Sequence, residues 1–321
     1  MSAMPQQPLL AVDIGGRRIK VGVVEGGRLL AFRALDARAE EGLTAHLADL
    51  EATIADVAAD AGLSPSACAG LGVVCPGLVD PEAGRVLSTN RKYPDAVDFD
   101  FGAWSRDTFG LPMRLENDAH AALLGEWRHG AASGADDVVQ VILGTGIGCS
   151  VLIGGRPLRG QGNQAGLLGG HVVVAVDGRA CTCPGRGCAE AEASTWALPS
   201  MAREDPAFES SALAAEADID YRALFARAAA GDDLAIRLRD RSYAVWNAMA
   251  VSLVHAFAPQ RIVVGGGVGH GAADLPARMA RHLQEQAWTS YGDVEVVHAQ
   301  HPDSAALLGI AVAMNEDLTY L

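Results

Sequence analysis

Cysteine is scarce in this sequence, and so are aromatic rings and runs of one charge. Only six of the 321 residues are cysteine and 5% are aromatic. No Lys/Arg block interrupts a chain of formal net charge -14, so nucleic acid and anionic membrane are not expected as partners. No stretch reaches the roughly 18 uninterrupted apolar residues of a membrane span. The opening MSAMPQQPLLAVDIGG lacks the basic region and apolar run of a signal peptide, which makes a cytoplasmic protein the expectation. The phosphate-loop pattern G-x-x-x-x-G-K-[ST] is missing as well. What is present is half hydrophobic and one fifth charged, the make-up of a globular chain with a substantial core. Its length suits two domains or one large one.

Three of the few cysteines stand together at 181, 183 and 188, in ACTCPGRGCAE. In a reducing compartment such a cluster points to metal ligands or redox groups. None of the spacings leaves the two-residue gap of a redox Cys-x-x-Cys. His171 lies ten residues before Cys181, and three thiolates with one imidazole make up the closed Cys₃His set of a structural zinc site. Gly185 and Gly187 would let the backbone fold back so that the sulfurs converge. The plainer alternative is three unrelated reduced cysteines in a loop. Cys68, Cys75 and Cys149 sit in apolar surroundings and read as small core residues.

The apolar patterning alternates between strand and helix. LLAVDI (9–14), IKVGVV (19–24) and RLLAFRAL read as three strands separated by glycine turns. A second copy of this pattern starts near Asp137: VVQVIL (138–143), GTG, IGCSVLIG (147–154), Gly155 and RPLRG. Two such units about 130 residues apart suggest an internal duplication. Leu43, Leu47, Leu50, Ile54 and Val57 mark an amphipathic helix ending before Gly62. AGLGVVCPGLVD (69–80) reads as a buried strand running into a Pro-Gly turn, and 118–130 as a short helix. A long helix is expected from about Leu234 to Ala258, stopping at Pro259. RIVVGGGVG (261–269) reads as strand into glycine turn with helix beyond it, DVEVVHA as a last strand and SAALLGIAVAM (304–314) as a last helix. Strands followed by helices in both halves give an α/β fold with two mixed sheets.

Several strand ends carry residues suited to chemistry. At Asp13-Ile14-Gly15-Gly16, glycine amides can approach an anion and Asp13 can hold Mg²⁺ through water. A simple hairpin turn is the competing reading. Gly144-Thr145-Gly146 and Gly265-Gly266-Gly267 are further glycine turns, and the three could converge on one nucleotide. In Glu116-Asn117-Asp118, Asp118 is placed either to cap the following helix or to act as a general base.

In their order, from about Leu9 to Ala313, these motifs resemble the ROK group of sugar kinases and repressors within the actin-like/hexokinase ATPase superfamily. DIGG is similar to that group's first phosphate loop, LGTGIG (143–148) to its second, and ENDAHAALLGE (116–126) to its catalytic segment. CTCPGRGCAE fits its Cys-x-Cys-x₄-Cys-x-Glu pattern and IVVGGGV its nucleotide-side loop. The resemblance implies a two-lobed actin-like ATPase (ribonuclease H-like) fold, each lobe a mixed α/β sheet flanked by helices, with a zinc-binding loop. Residues 1–116 completed by 302–321 would form one lobe and 117–301 the other, with sugar and ATP meeting in the cleft. The implied activity is phosphorylation of a hexose hydroxyl by ATP with Mg²⁺, in a protein that is often a homodimer. Asp118 would take the proton from the attacking hydroxyl, and Asn90, Asn117 and Glu190 would bind sugar hydroxyls. His171, Cys181, Cys183 and Cys188 would hold zinc, with His171 also facing the sugar. Asp13, Gly15, Gly16, Arg17, Gly144, Thr145, Gly146, Gly265, Gly266 and Gly267 would form the nucleotide side.

The sequence also departs from that pattern. Where the group has Glu-x-Gly-His, this chain reads LLGGH, with Leu168 at the glutamate position. A leucine accepts no hydrogen bond, so either the substrate lacks the corresponding hydroxyl or activity is lost. Arg17 and Arg18 replace the Thr-Lys of the first loop, and Arg17 could pair with phosphate or point to solvent. Pro184 replaces a glycine in the zinc loop, and Cys149-Ser150 replace two small residues. A sugar-responsive repressor is disfavoured because only twelve residues precede Asp13, too few for a helix-turn-helix. A silent sugar-binding pseudokinase remains the alternative to the kinase.

Overall fold

Glycine turns cut the start of the chain into the expected antiparallel meander. β1 (Leu9–Ile14), β2 (Arg18–Glu25) and β3 (Arg28–Asp36) pair in order, with Leu9 opposite Val24 and Arg18 opposite Asp36. The computed structural model describes residues 7–89 and 92–316. Its contacts group the chain into two units: 1–134, 156–165 and 303–321 in one, 135–155 and 166–302 in the other.

In the first unit, α1 (Leu47–Asp60) buries Leu50, Ile54 and Val57, the stripe read from the sequence. Leu43 lies before it and one short turn of 3₁₀ helix (Thr44–His46) intervenes, so the helix starts at Leu47. β4 (Leu71–Cys75) is buried throughout, and Pro76-Gly77 separates it from β5 (Leu78–Asp80), which pairs with β6 (Arg85–Ser88). α2 (Phe101–Phe109) leads into β7 (Met113–Asn117), which runs directly into α3 (Asp118–His129). The sheet order is β3-β2-β1-β4-β7, and β1, β4 and β7 are parallel. Asp13, Cys75 and Asn117 thus stand at the carboxyl ends of adjacent strands, where α/β sheets bind ligands.

The second unit repeats this plan. β8 (Val138–Leu143) and β9 (Ile147–Ile153) form a hairpin around Gly144-Thr145-Gly146. β10 (Arg156–Pro157) then opens the segment 156–165 that contacts group with the first unit. α4 (Ala189–Ala193), α5 (Leu198–Glu204) and α6 (Tyr221–Ala229) precede the long α7 (Asp233–Phe257), which ends in a left-handed Ala258 before Pro259. β11 (Arg261–Gly265) is parallel to both β8 and β12 (Glu295–His298), so β9-β8-β11-β12 mirrors β2-β1-β4-β7.

One element differs from the sequence reading. Gly265-Gly266-Gly267 is no open turn, because a short helix, α8 (Gly266–Gly271), begins at once and precedes α9 (Leu275–Gln286). The His270 ring closes that helix, with Nδ1 3.0 Å from the Gly266 carbonyl and Nε2 3.0 Å from that of Ala299. Such a staple joins residues 29 apart and leaves no local signal. Among the described residues no helix is long and apolar enough to cross a membrane.

α10 (Ala305–Asn315) returns to the first unit and packs along α3. The two backbones touch at Gly309, where a Cβ would sit 1.7 Å from the Ala121 carbonyl oxygen. Since Ala121 lies one turn after Asp118, this contact seats the residue read as the base. Gly309→Ala is expected to destabilise the fold by about 1–3 kcal/mol or more through overpacking. Urea unfolding of the variant, unchanged in midpoint from the parent, would refute that close approach.

Candidate functional site

The first unit builds its site at the end of β7. Asn117 is the N-cap of α3, its Oδ1 accepting the Ala119 and His120 amides at 2.9 and 3.0 Å. Its Nδ2 donates to the Gly77 carbonyl at 2.6 Å and to Asp118 Oδ1 at 2.9 Å. All four hydrogen-bonding positions of this amide are therefore used within the chain. The capping role that the sequence left open for Asp118 belongs to Asn117 instead. Asp118 also accepts the amide of Ala119 at 2.9 Å, and its residue surface remains exposed.

Burial of the carboxyl's surroundings nonetheless raises the proton affinity of Asp118, and its hydrogen bonds and Lys92 only partly offset this. Asp13 is affected more strongly. Burial pushes its carboxyl up to about 6, with Lys20 opposing and Asp118 reinforcing the shift. Lys20 Nζ stands 3.9 Å from Asp13 and donates to the Asp303 carbonyl at 2.9 Å. Two carboxyls of raised proton affinity at adjacent strand ends, one of them raised in part by the other, suit a pair sharing a cation and a proton-transfer task.

Behind them lies a buried ionic cluster that sequence reading missed. Glu116 accepts its neighbour's amide, from Asn117, at 2.8 Å and a two-pronged contact from the Arg159 guanidinium. His120 Nδ1 lies 3.5 Å from Glu116 and 3.2 Å from Arg159 Nη1. Burial alone would raise Glu116, but the His120 and Arg159 contacts outweigh it and hold the carboxyl at about 2. Glu116 and Arg159 are 43 residues apart, so only the i,i+4 spacing of Glu116 and His120 offered a local hint.

In the second unit, the cysteines and His171 converge as read. One donor atom from each of His171, Cys181, Cys183 and Cys188 lies within 4.8 Å of the others. Cys183 Sγ to Cys188 Sγ is 3.7 Å, and Cys181 Sγ to His171 Nδ1 is 3.5 Å. Tetrahedral ligands with Zn–S bonds near 2.3 Å stand about 3.8 Å apart, so the spacing fits zinc and is far too long for a disulfide. Gly187 makes the fold-back possible: its φ is +67° and a Cβ there would meet the Ala175 carbonyl at 1.6 Å. Burial and the neighbouring thiols push Cys188 up to about 12, a cost that a bound divalent cation removes. The cluster is one that could hold zinc.

The same loop carries Glu190 to the glycine turn. Its Oε2 accepts the Ile147 amide at 2.8 Å and lies 2.5 Å from where a Cβ of Gly146 would be. Its Oε1 receives Trp196 Nε1 at 3.2 Å and the Thr182 hydroxyl at 3.3 Å. Gly144 and Thr145 are bound through their carbonyls by the amides of Thr195 and Trp196. Leu168 is 49% exposed and its carbonyl accepts the His171 amide at 2.9 Å. Arg17 is exposed, and Asn90 lies outside the described residues. Asp13, Gly15 and Gly16 are together in the first unit, while Gly265, Gly266 and Gly267 follow β11 in the second.

Comparison with known proteins agrees with these motifs. The ROK family model matches residues 9–317. A glucokinase of Thermotoga maritima is 32% identical over 320 residues, 98% of this chain and 99% of that protein. An N-acetylmannosamine kinase of Citrobacter koseri is 30% identical over 310 residues, 96% and 99% of the two chains. A crystal structure of a ROK family glucokinase from Streptomyces griseus in complex with glucose and AMPPNP superposes with a TM-score of 0.73 at 28% identity, covering 95% of this chain and 98% of that one.

The ionic cluster gives a pH test of the site. Because Glu116 is held near 2 against an ordinary value of 4.5, its stabilisation is complete above about pH 4.5 and is lost as pH falls through 2. Glu116→Gln leaves Arg159 without its carboxylate and is expected to cost about 3–5 kcal/mol at neutral pH. Denaturant titrations between pH 2 and 7 should show this gap narrowing towards the acid end. A gap independent of pH would refute the ionised pair.

Proposed function

This chain belongs to the ROK family, and from that membership we propose that it transfers the γ-phosphoryl group of ATP to a hydroxyl of a hexose or hexose derivative. The observation that carries the reading is Asp118, a carboxylate of raised proton affinity held by Asn117 at the head of α3. In this reading a sugar oxygen forms the new bond to Pγ as the bond from Pγ to the β-phosphate oxygen breaks. The hydroxyl proton passes to Asp118, and ADP leaves with the electron pair of the broken bond. Such transfers require mainly positioning and charge neutralisation, so a base, Mg²⁺ and amide-lined turns are a sufficient set.

Asp13 is proposed to hold Mg²⁺ through water, which would bring its carboxyl down from about 6. Gly15, Gly16, Gly144, Thr145, Gly146 and Gly265–Gly267 are proposed to carry the nucleotide. Zinc on Cys181, Cys183, Cys188 and His171 Nδ1 would fix the loop and leave His171 Nε2 to face the sugar. Glu190 and Asn117 are proposed sugar contacts. The Asn117 amide is fully used, so its contact requires exchange of a present bond, and positioning Asp118 is its principal task. The lobe boundaries 1–116 with 302–321 and 117–301, and assembly as a homodimer, are proposed on the resemblance alone.

Leu168 narrows the substrate. Its exposed apolar side chain beside His171 favours a sugar without a hydroxyl seeking an acceptor there. Two outcomes are expected from ADP release measured over hexoses, amino sugars, N-acetyl sugars and deoxy sugars with Mg·ATP. One sugar turns over, and Asp118→Asn lowers its kcat by about 10²–10⁴. Leu168→Glu improves glucose affinity by about tenfold to a hundredfold, the equivalent of one charge-assisted hydrogen bond. Turnover surviving in Asp118→Asn would remove the base assignment, and silence with every sugar that still binds would favour the pseudokinase.

A further inference from the structure

The first glycine turn needs a cation for the terminal phosphate, and the sequence offered Arg17 or Arg18 for it. Both are exposed on the strand side of the turn. Lys20, two residues on, is held by Asp13 and by the Asp303 carbonyl. A fourth cation comes from a different element. Lys92 extends over Gly16 so closely that a Cβ there would meet its Cε at 3.0 Å and its Nζ at 3.1 Å. Its charge also acts on the Asp118 carboxylate, favouring the ionised form.

The loop that presents Lys92 is fastened to the same turn. The next residue, Tyr93, is buried, and its hydroxyl donates to the Gly15 carbonyl at 2.8 Å. The Tyr93 amide donates to the Ala39 carbonyl at 2.8 Å, and the Lys92 amide to that of Thr89 at 3.0 Å. Tyr93 takes a left-handed φ of +50°, a conformation a bulky residue adopts only when its surroundings enforce it. This strained, doubly tied residue fixes the Lys92 backbone beside Gly15-Gly16 while leaving the long side chain free to follow a ligand.

We infer that Lys92 is the side chain that binds the terminal phosphate of the nucleotide over the Gly15-Gly16 turn, in place of Arg17. The inference rests on the kinase reading. A compact ammonium on a flexible stem suits a group that changes position during transfer, and it stands where a Cβ on the turn would exclude it.

Comparing nucleotides that differ only in the terminal phosphate tests this without any sugar. Calorimetric titration of Mg·AMPPNP and Mg·ADP would be run on the parent chain, Lys92→Met, Lys92→Arg and Arg17→Met. Loss of one charge-assisted contact should weaken AMPPNP by about tenfold or more in Lys92→Met. ADP affinity should stay within about twofold, Lys92→Arg should recover most of the loss, and Arg17→Met should resemble the parent. An AMPPNP-to-ADP ratio unmoved by Lys92→Met, or moved by Arg17→Met instead, overturns the inference. A parent chain that binds neither nucleotide overturns both this inference and the kinase reading. Selective loss in Lys92→Met from a chain that phosphorylates no sugar sustains the phosphate contact and removes only the kinase reading.

Discussion

A buried carboxylate, Glu116, is the constraint on which the first unit's site depends. Taking a charge out of water costs several kcal/mol unless close partners return it. Here Arg159, His120 and the Asn117 amide do so at once. The result is a fixed end for β7, because any shift of Asn117 breaks a contact to a buried ion. Asn117 then passes that rigidity on by capping α3 and holding Asp118. It also ties the segment 156–165 to β7, through the paired contact of the Arg159 guanidinium with the Glu116 carboxylate. Gly309 does the same job from the outside by letting α10 press on the first turns of α3. The proposed base, Asp118, is exposed, but Glu116 and Asn117 that position it are buried.

Much of this was legible locally. Strand limits at 9–14 and 138–143, the long helix to Pro259 and the four zinc-compatible ligands follow from period, glycine and cysteine spacing, signals that need only neighbouring residues. The duplicated plan was legible too, because each half repeats the order of strand, turn and strand. What escaped was long-range and polar. Arg159 pairs with Glu116 across 43 residues, and Tyr93 reaches Gly15 across 78. No window of sequence contains both partners. The glycine run at 265–267 misled for the same reason, since the His270 staple that makes it helical closes on Ala299. The cap at α3, left open at Asp118 by the sequence, lies one residue earlier, since Asn and Asp are equally good caps and stand side by side.

The second unit shows a different economy, in which a metal-compatible cluster takes the place of a core. The segment from 171 to 188 has little apolar mass, and Val173 and Val176 are exposed. Its shape rests instead on the Gly187 reversal, a few backbone bonds and four converging donors. Without a cation the Cys188 thiol resists ionisation, because burial and its neighbouring thiols raise its proton affinity. With one, the loop becomes a rigid arm that delivers Glu190 to the Gly146 turn. The carboxylate is already committed there to the Ile147 amide, so loop and turn are positioned together. A substitution such as Pro184 for glycine is tolerated because the exposed position carries no ligand and the reversal lies at Gly187.

Charge balance gives the site its direction. Asp118 opposes the ionisation of Asp13, which Lys20 partly offsets, and Lys92 favours the ionised form of Asp118. The two lysines are not equivalent. Lys20 is spent on Asp13 and a carbonyl, which keeps it in place beside that carboxyl. Lys92 has its backbone tied and its head over an open glycine turn. An ATP phosphate with Mg²⁺ would add a cation near Asp13 and an anion near Lys92, relieving the first and occupying the second. Occupying Lys92 would remove a charge that favours the ionised Asp118, while the cation near Asp13 would act in the opposite sense, so the two ligand charges offset one another at this carboxylate.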